Sequence, residues 1–370
     1  MSWTIEDLED EDTFLTLFEE GDEVGRGSDG IVTAYIHRHT AEVIAVKSPL
    51  YGDDLSIDGQ EGKIMREIRS LKVLGQHDHI SGMLTFVERL TDDVGPAIFF
   101  QLCDLGDLDD YAFKWCCREQ ERGRPGRIAE GTILKLLRDI GLGLDYLHNG
   151  LPTRYVHIDL KPQNILVLTP PHHIGNDIPT LPHFKITDFA RLTTYPLSPG
   201  KSLASWPGTY LFAPPVAERS RKLFSPAVDM WALGATIQNI ALQIKPRQSR
   251  AAFVADRIQQ GLNWPRNDEE WRMSDWRDIV PVVYRPLDAT AAALSRKWDV
   301  GEALPHHRPY SRPLNIWYKA LFEANPRERL TSAELKKYLV PLIDHQLAIT
   351  VKLGRARDGF AETVARMGGF

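Results

Sequence analysis

The sequence predicts an α+β fold in two lobes, a small β-rich lobe followed by a larger helical one. Three observations carry this. β-Branched runs dominate up to about residue 102, a long amphipathic pattern opens at Ile128, and helical spacing prevails beyond it. A chain of 370 residues is also long enough to bury a large core and to divide in two.

The elements follow in order. Residues 1–20 are acidic, with Leu8, Phe14, Leu15, Leu17 and Phe18 interleaved, and read as a partly ordered arm leading into the first strand. The small lobe spans 21–102. Ile31 to Ile36 and Glu42 to Lys47 are strands, preceded by a glycine-rich turn. Ile64, Ile68, Leu71 and Leu74 recur at helical spacing and predict an amphipathic helix over 60–75. Pro96 to Leu102 reads as a buried strand, and 102–107 as the connection between lobes.

The larger lobe spans 103–346. It opens on a helix over Ile128 to His148 and contains two strands, Ile165 to Leu168 and Phe184 to Thr187, and two inserts. The insert near 169–183 is rich in Pro, His and Gly and predicts a surface loop; His172, His173 and His183 lack the Cys or carboxylate company of a metal centre. The insert near 246–312 carries Trp264, Trp271, Trp276 and Trp298, an aromatic density that predicts packed structure. Residues 347–370 are read as a C-terminal tail.

Composition narrows the function classes. A formal net charge of -6 supplies no global attraction to nucleic acid or to an anionic membrane. No apolar run is long enough to span a bilayer, and Met1 is followed by an acidic stretch with no secretory pattern. Cys103, Cys116 and Cys117 suit a reducing compartment, so a cytoplasmic or nuclear location is expected. Nothing in the chain predicts an oligomeric state.

The chemistry is concentrated in a short segment, His157-Ile158-Asp159-Leu160-Lys161-Pro162-Gln163-Asn164. It sets a carboxylate beside a cation and an amide, the groups phosphoryl transfer needs to orient a hydroxyl, steady the moving phosphate and hold a metal ion. Upstream, Gly25, Gly27 and Gly30 fit G-x-G-x-x-G-x-V with Val32, between two predicted strands. Glycines there let the backbone turn sharply and approach a polyphosphate. The dinucleotide fingerprint shares this spacing but needs a helix directly after it, and here a β-branched run follows.

The segment resembles the catalytic loop of eukaryotic protein kinases, HRDLKxxN, with Ile158 where that family usually has Arg. Other family motifs follow in the right order. Val43 to Lys47, containing Ala45, is similar to VAIK, and Glu67 lies on the next helix where the family places the partner of that lysine, with Glu61 as the fallback. Phe99 to Leu108 resembles the hinge that contacts adenine, with Phe100 as gatekeeper and Gln101 to Cys103 supplying backbone groups. Asp188-Phe189-Ala190 resembles DFG with Ala for Gly. Gly208 to Pro215 resembles GTxxYxAPE without its Glu. Asp229 to Gly234 is similar to DxWSLG, and Asn325 to Thr331 to DPxxRxT.

The resemblance implies a bilobal protein-kinase-like fold and transfer of the γ-phosphoryl group of ATP to Ser/Thr hydroxyls of a protein substrate, with Mg²⁺. Lys161 is the Ser/Thr-class choice. It implies Asp159 as base, Lys161 beside the transferring group, Lys47 with Glu67 on the α/β-phosphates, and Asn164 and Asp188 as metal ligands. Gly25, Gly27, Gly30, Val32, Ala45, Phe100, Gln101 and Cys103 would surround the nucleotide, and His157 and Phe189 would join Leu71 and Met83 in an apolar column. The departures set further expectations. Ala190 requires φ below zero. Arg329, which the family pairs with the missing Glu, is expected to pair with Glu218. Ile158 cannot bind an activation-loop phosphate, so the hydroxyls at Thr193, Thr194, Tyr195, Ser198, Ser202 and Ser205 are expected not to gate activity, with Arg191 or Arg66 as the substitute phosphate ligand if they do. A nucleotide-binding or scaffolding pseudokinase is the alternative these departures raise.

Overall fold

Alternation along the strands decides how the small lobe is built. In the computed structural model, which describes residues 3–52, 56–91, 93–175, 177–198, 206–219, 223–298, 300 and 307–352, five strands form one antiparallel sheet. They are β1 (Phe18–Gly27), β2 (Gly30–His37), β3 (Val43–Ser48), β4 (Met83–Val87) and β5 (Ala97–Gln101), in the order β1-β2-β3-β5-β4. Val32 lies opposite Lys47, and Ala45 opposite Phe100. With a side-chain period of two, these four share one face, which looks into the cleft. Tyr35, Ile44, Val46 and Phe99 take the other.

That other face is covered by the N-terminal residues. Instead of a partly ordered arm, two short helices, α1 (Ile5–Glu9) and α2 (Glu11–Leu17), bring Trp3, Leu8, Phe14 and Phe18 into one cluster with Tyr35, Ile44, Val46 and Phe99. Phe14 stands edge-on to Phe99 at 5.2 Å. The acidic side chains cap and face solvent: Thr4 and Asp7 form a capping box, and Asp10 caps α2. Net acidity hid an apolar stripe that the sheet needed.

α3 (Ile57–Leu74) crosses the cleft side of the sheet. Ser56 caps its start, and Ile64, Glu67, Ile68, Leu71 and Leu74 form its buried stripe. A carboxylate in that stripe demands a buried cation. After the linker, Asp107 caps α4 (Leu108–Glu121), again through a capping box with Asp110.

The larger lobe is organised around α5 (Glu130–Asp145), continued by a π turn over Tyr146–Gly150, and α6 (Ala227–Leu242), which is buried along nearly its whole length. Two small antiparallel pairs lie against them: β6 (Arg154–Val156) with β9 (Thr193–Tyr195), and β7 (Ile165–Leu168) with β8 (His183–Ile186). The β7–β8 pair sets Asn164 just before one strand and Asp188 shortly after the other, so both emerge at the same end.

The described parts of the two inserts are packed. The 169–183 segment is tied to the lobe by Tyr111, whose hydroxyl donates to the Pro179 carbonyl at 2.9 Å, and by Arg122 on Asp177 at 2.8 Å. His183 belongs to β8 and not to the loop. In the 246–312 block, Arg285 is buried and donates to the carbonyls of Pro246, Arg247 and Trp298. Ser202, Ser205, residues 301–306 and tail residues 353–370 lie outside the described residues.

Candidate active site

The cleft between the lobes has a volume of about 530 Å³, within the usual range for a small-molecule site. Val32, Ala45 and Phe100 line it from the small lobe, Leu166 from the large lobe, and Gln101 to Cys103 along the linker. Burial pushes the Cys103 thiol up to about 12, which disfavours the nucleophilic thiolate. Gly25, Gly27 and Gly30 edge the opening. Only Gly30 is obligatory on backbone grounds: its φ is +145°, and a Cβ there would lie 2.6 Å from the Ser48 carbonyl oxygen.

Lys47 and Glu67 meet as the stripe on α3 requires, with Nζ 2.5 Å from Oε2 and both side chains largely buried. Burial by itself would strip the proton from Lys47. Glu67 and Asp188, the latter 3.7 Å away, reverse that and hold the ammonium above its ordinary range. Glu61 faces elsewhere and accepts from the Tyr51 hydroxyl at 3.0 Å.

Asp159 is 2% exposed and is held from several sides. Lys161 Nζ lies 3.1 Å from Oδ2, and the Thr209 N–H donates to Oδ1 at 2.6 Å. Burial raises its carboxyl pKa, but Lys161, Thr209 and Arg191 outweigh that and hold it below the usual carboxylate value. Lys161 also donates to Thr209 Oγ1 at 3.0 Å. Asn164 donates Nδ2 to the Asp159 carbonyl at 2.8 Å, which leaves its amide oxygen as an acceptor.

The loop beneath is fixed by Asp229, fully buried, whose two oxygens accept the N–H groups of His157 at 2.8 Å and Ile158 at 2.9 Å. Ile158 has φ +75°, a conformation that strains a β-branched residue. It is held there by these bonds and by burial among Val156, Trp206, Phe224 and Val228. His157 and Phe189 pack edge-on at 5.4 Å, and Phe189 is fully buried in the cluster containing Leu71, with Met83 against it.

Asp188 adopts a left-handed conformation, φ 63° and ψ 75°, and Ala190 follows in a 3₁₀ turn. Ala190 is not among the described non-glycine residues with positive φ, so alanine is unstrained. Among the described residues Asp188 Oδ1 is buried without a hydrogen-bond partner, with Lys47 Nζ 3.7 Å away. A buried carboxylate oxygen left so, in a cleft that Asn164 also lines, fits a hard divalent cation such as Mg²⁺.

A protein kinase domain profile matches residues 18–339. The chain belongs to the protein kinase family. Among its relatives are a probable serine/threonine-protein kinase MARK-C of Dictyostelium discoideum, 30% identical over 59% of this chain and 24% of its own length. The beta subunit of inhibitor of nuclear factor kappa-B kinase of Bos taurus is 29% identical over 59% of this chain and 26% of its own. The alpha subunit of Gallus gallus is 30% identical over 62% and 27%. The chain thus spans about a quarter of the length of these curated relatives. No helix among the described residues is long and apolar enough to cross a membrane.

Two residues of the kinase cleft, Thr209 and Asp29, were not singled out from sequence. Thr209 lies inside a recognised motif, but its backbone contact with Asp159 has no sequence signal. Asp29 and Arg191 meet at 2.8 Å across the lobes. An acid inside the glycine-rich turn was the available clue. Elsewhere, His79, Asp139 and His183 converge as a metal triad would. Lys135 and Arg138 already sit on the Asp139 carboxylate, so this group is an ion-paired anchor.

Proposed function

We propose that the chain is a catalytically competent protein kinase that transfers the ATP γ-phosphoryl group to Ser or Thr hydroxyls of protein substrates. The observation that carries the reading is the assembled state of the site. Lys47 and Glu67 are joined, Phe189 is packed inward, and Asp188 faces Lys47 across the cleft.

In this reading the adenine lies between Val32, Ala45 and Leu166, and the lysine holds the α/β-phosphates with its charge kept by Glu67. Asn164 and Asp188 would hold Mg²⁺, which would supply positive charge against that of the phosphates. Asp159 orients the acceptor hydroxyl and takes its proton; its depressed pKa keeps it ionised at neutral pH, at some cost in basicity. Lys161, shared between Asp159 and Thr209, keeps a cation beside the transferring group. The buried floor of His157, Ile158 and Asp229 keeps the base in place.

The scaffold alternative rests on Ile158, Ala190 and Pro215. Each departure has a local answer: a buried apolar pocket for Ile158, negative φ at Ala190, and Glu218 in place of the missing acid near Pro215. Incubating purified protein with Mg-ATP and a generic basic protein substrate tests the reading. Phosphoserine or phosphothreonine that is absent with Asp159→Asn supports it. Nucleotide binding without turnover would favour the scaffold.

A further inference from the structure

Arg191 occupies a position that the catalytic assignments leave unused. It closes the 3₁₀ turn after Asp188, and one nitrogen of its guanidinium, Nη1, faces three carboxylates from three segments. These are Asp29 of the β1–β2 turn at 2.8 Å, Asp159 of the catalytic loop at 3.3 Å, and Asp188 at 3.9 Å. The side chain of Asp29 is 14% exposed and that of Arg191 27% exposed, so the pair is only partly screened by water.

The charge pattern explains why such a cation is needed. Asp29 stands between Gly27 and Gly30, in the turn that covers phosphates, where a bare carboxylate repels a polyanion. Asp159 and Asp188 add two more negative charges nearby. Position 158, immediately before the base, is isoleucine and supplies no neutralising group. A guanidinium, planar and permanently charged, meets several carboxylates at once better than a lysine does.

We propose that Arg191 is a positioning residue: it straps the glycine turn to the catalytic carboxylates by pairing Asp29 with Asp159, and lends the site the cation that position 158 lacks. The proposal rests on the kinase reading above for its purpose, but the strap itself exists without nucleotide. It links β2 and the base of β1 to the large lobe, so loosening it frees the turn. Lys63, donating to the Ser28 carbonyl at 2.5 Å, tethers the turn to α3 only from the small-lobe side.

The test is amide hydrogen exchange of residues 25–30 in the nucleotide-free full chain, for Arg191→Leu, Asp29→Asn and the double variant. Each single variant is expected to speed exchange of this turn by about fivefold or more, and the double variant to add nothing further. Arg191→Lys should keep most of the protection. Unchanged exchange in Arg191→Leu, or additive effects in the double variant, would overturn the strap. Should Arg191→Leu fail to fold, Asp29→Asn against Asp29→Asn/Arg191→Gln carries the same comparison. A wild-type chain that binds no Mg-ATP would defeat the kinase reading and leave these exchange results standing, so the two failures are separable.

Discussion

Glu218 and Arg329, 111 residues apart in sequence, form a two-pronged buried pair: Nη1 meets Oε2 at 2.8 Å and Nη2 meets Oε1 at 2.7 Å. Both side chains are essentially excluded from water. The arginine further donates to the carbonyls of Ala227 and Glu323, so all its edges are used. This is the pairing the sequence leads one to expect once Pro215 has replaced the usual acid. Glu218→Ala should therefore destabilise the chain by about 3–5 kcal/mol, because it leaves a buried charge alone. Chemical denaturation would read this out. A loss no larger than for Glu19→Ala, an exposed control, would show the arginine finds water or another acid.

Asp159→Asn separates binding from chemistry. Nucleotide affinity should stay within about threefold, while turnover falls by roughly 10² or more, the usual worth of a placed general base. Calorimetry and a phosphate-transfer assay on the same preparation decide it. Unimpaired turnover would remove this carboxylate from the mechanism.

Lys47→Met and Glu67→Gln should act as one unit. Each alone should weaken nucleotide affinity and slow turnover, and the double variant should be little worse than either, because Glu67 is placed chiefly by the ion pair. A double-mutant cycle measures this, and effects that simply add would mean Glu67 has its own separate function.

The acid limb of the rate profile should lie low. Asp159 has a folded-state pKa below its ordinary value of about 3.9, so its active, ionised form persists as pH falls and is lost only as pH drops through the depressed value. Stability has the same sign: the contribution is complete above the unfolded value and fades through the folded one. Lys161→Met removes the strongest of the lowering groups and should move the acid limb upward. A limb that does not move would assign it to another group.

Removal of loop phosphate should leave activity within about twofold, since Ile158 cannot bind it and Arg191 is already engaged with Asp29 and Asp159. Thr193 and Thr194 lie in β9 paired with β6, which orders the start of the loop without modification. Phosphatase treatment, verified by mass spectrometry, followed by assay is the check. A tenfold fall, about 1.4 kcal/mol in barrier terms, would mean another cation reads the phosphate.

Much of the molecule was legible because the motifs are local. The glycine turn, the lysine at the end of β3, the acid on α3 and the loop around Asp159 each declare themselves within a few residues. Their register in the fold follows from strand and helix periods. What stayed hidden depended on contacts between distant segments. Arg191 reads from sequence as a substitute phosphate ligand, and its pairing with Asp29 shows only when the lobes meet. Thr209 acts through its backbone, which carries no residue identity. Ile158 at positive φ contradicts local preference and is intelligible only with Asp229 beneath it. The N-terminal helices were missed because counting charge outweighed the spacing of Leu8, Phe14 and Phe18.

Those two helices set where the chain can be cut. The family profile begins at Phe18, yet Trp3, Leu8 and Phe14 supply one wall of the core behind β3 and β5. An expression fragment starting at the profile boundary would leave Tyr35, Ile44 and Phe99 facing water on the reverse of the very strands that carry Ala45, Lys47 and Phe100. The cleft and residues 3–17 are thus two sides of one sheet, and trimming one is an alteration of the other.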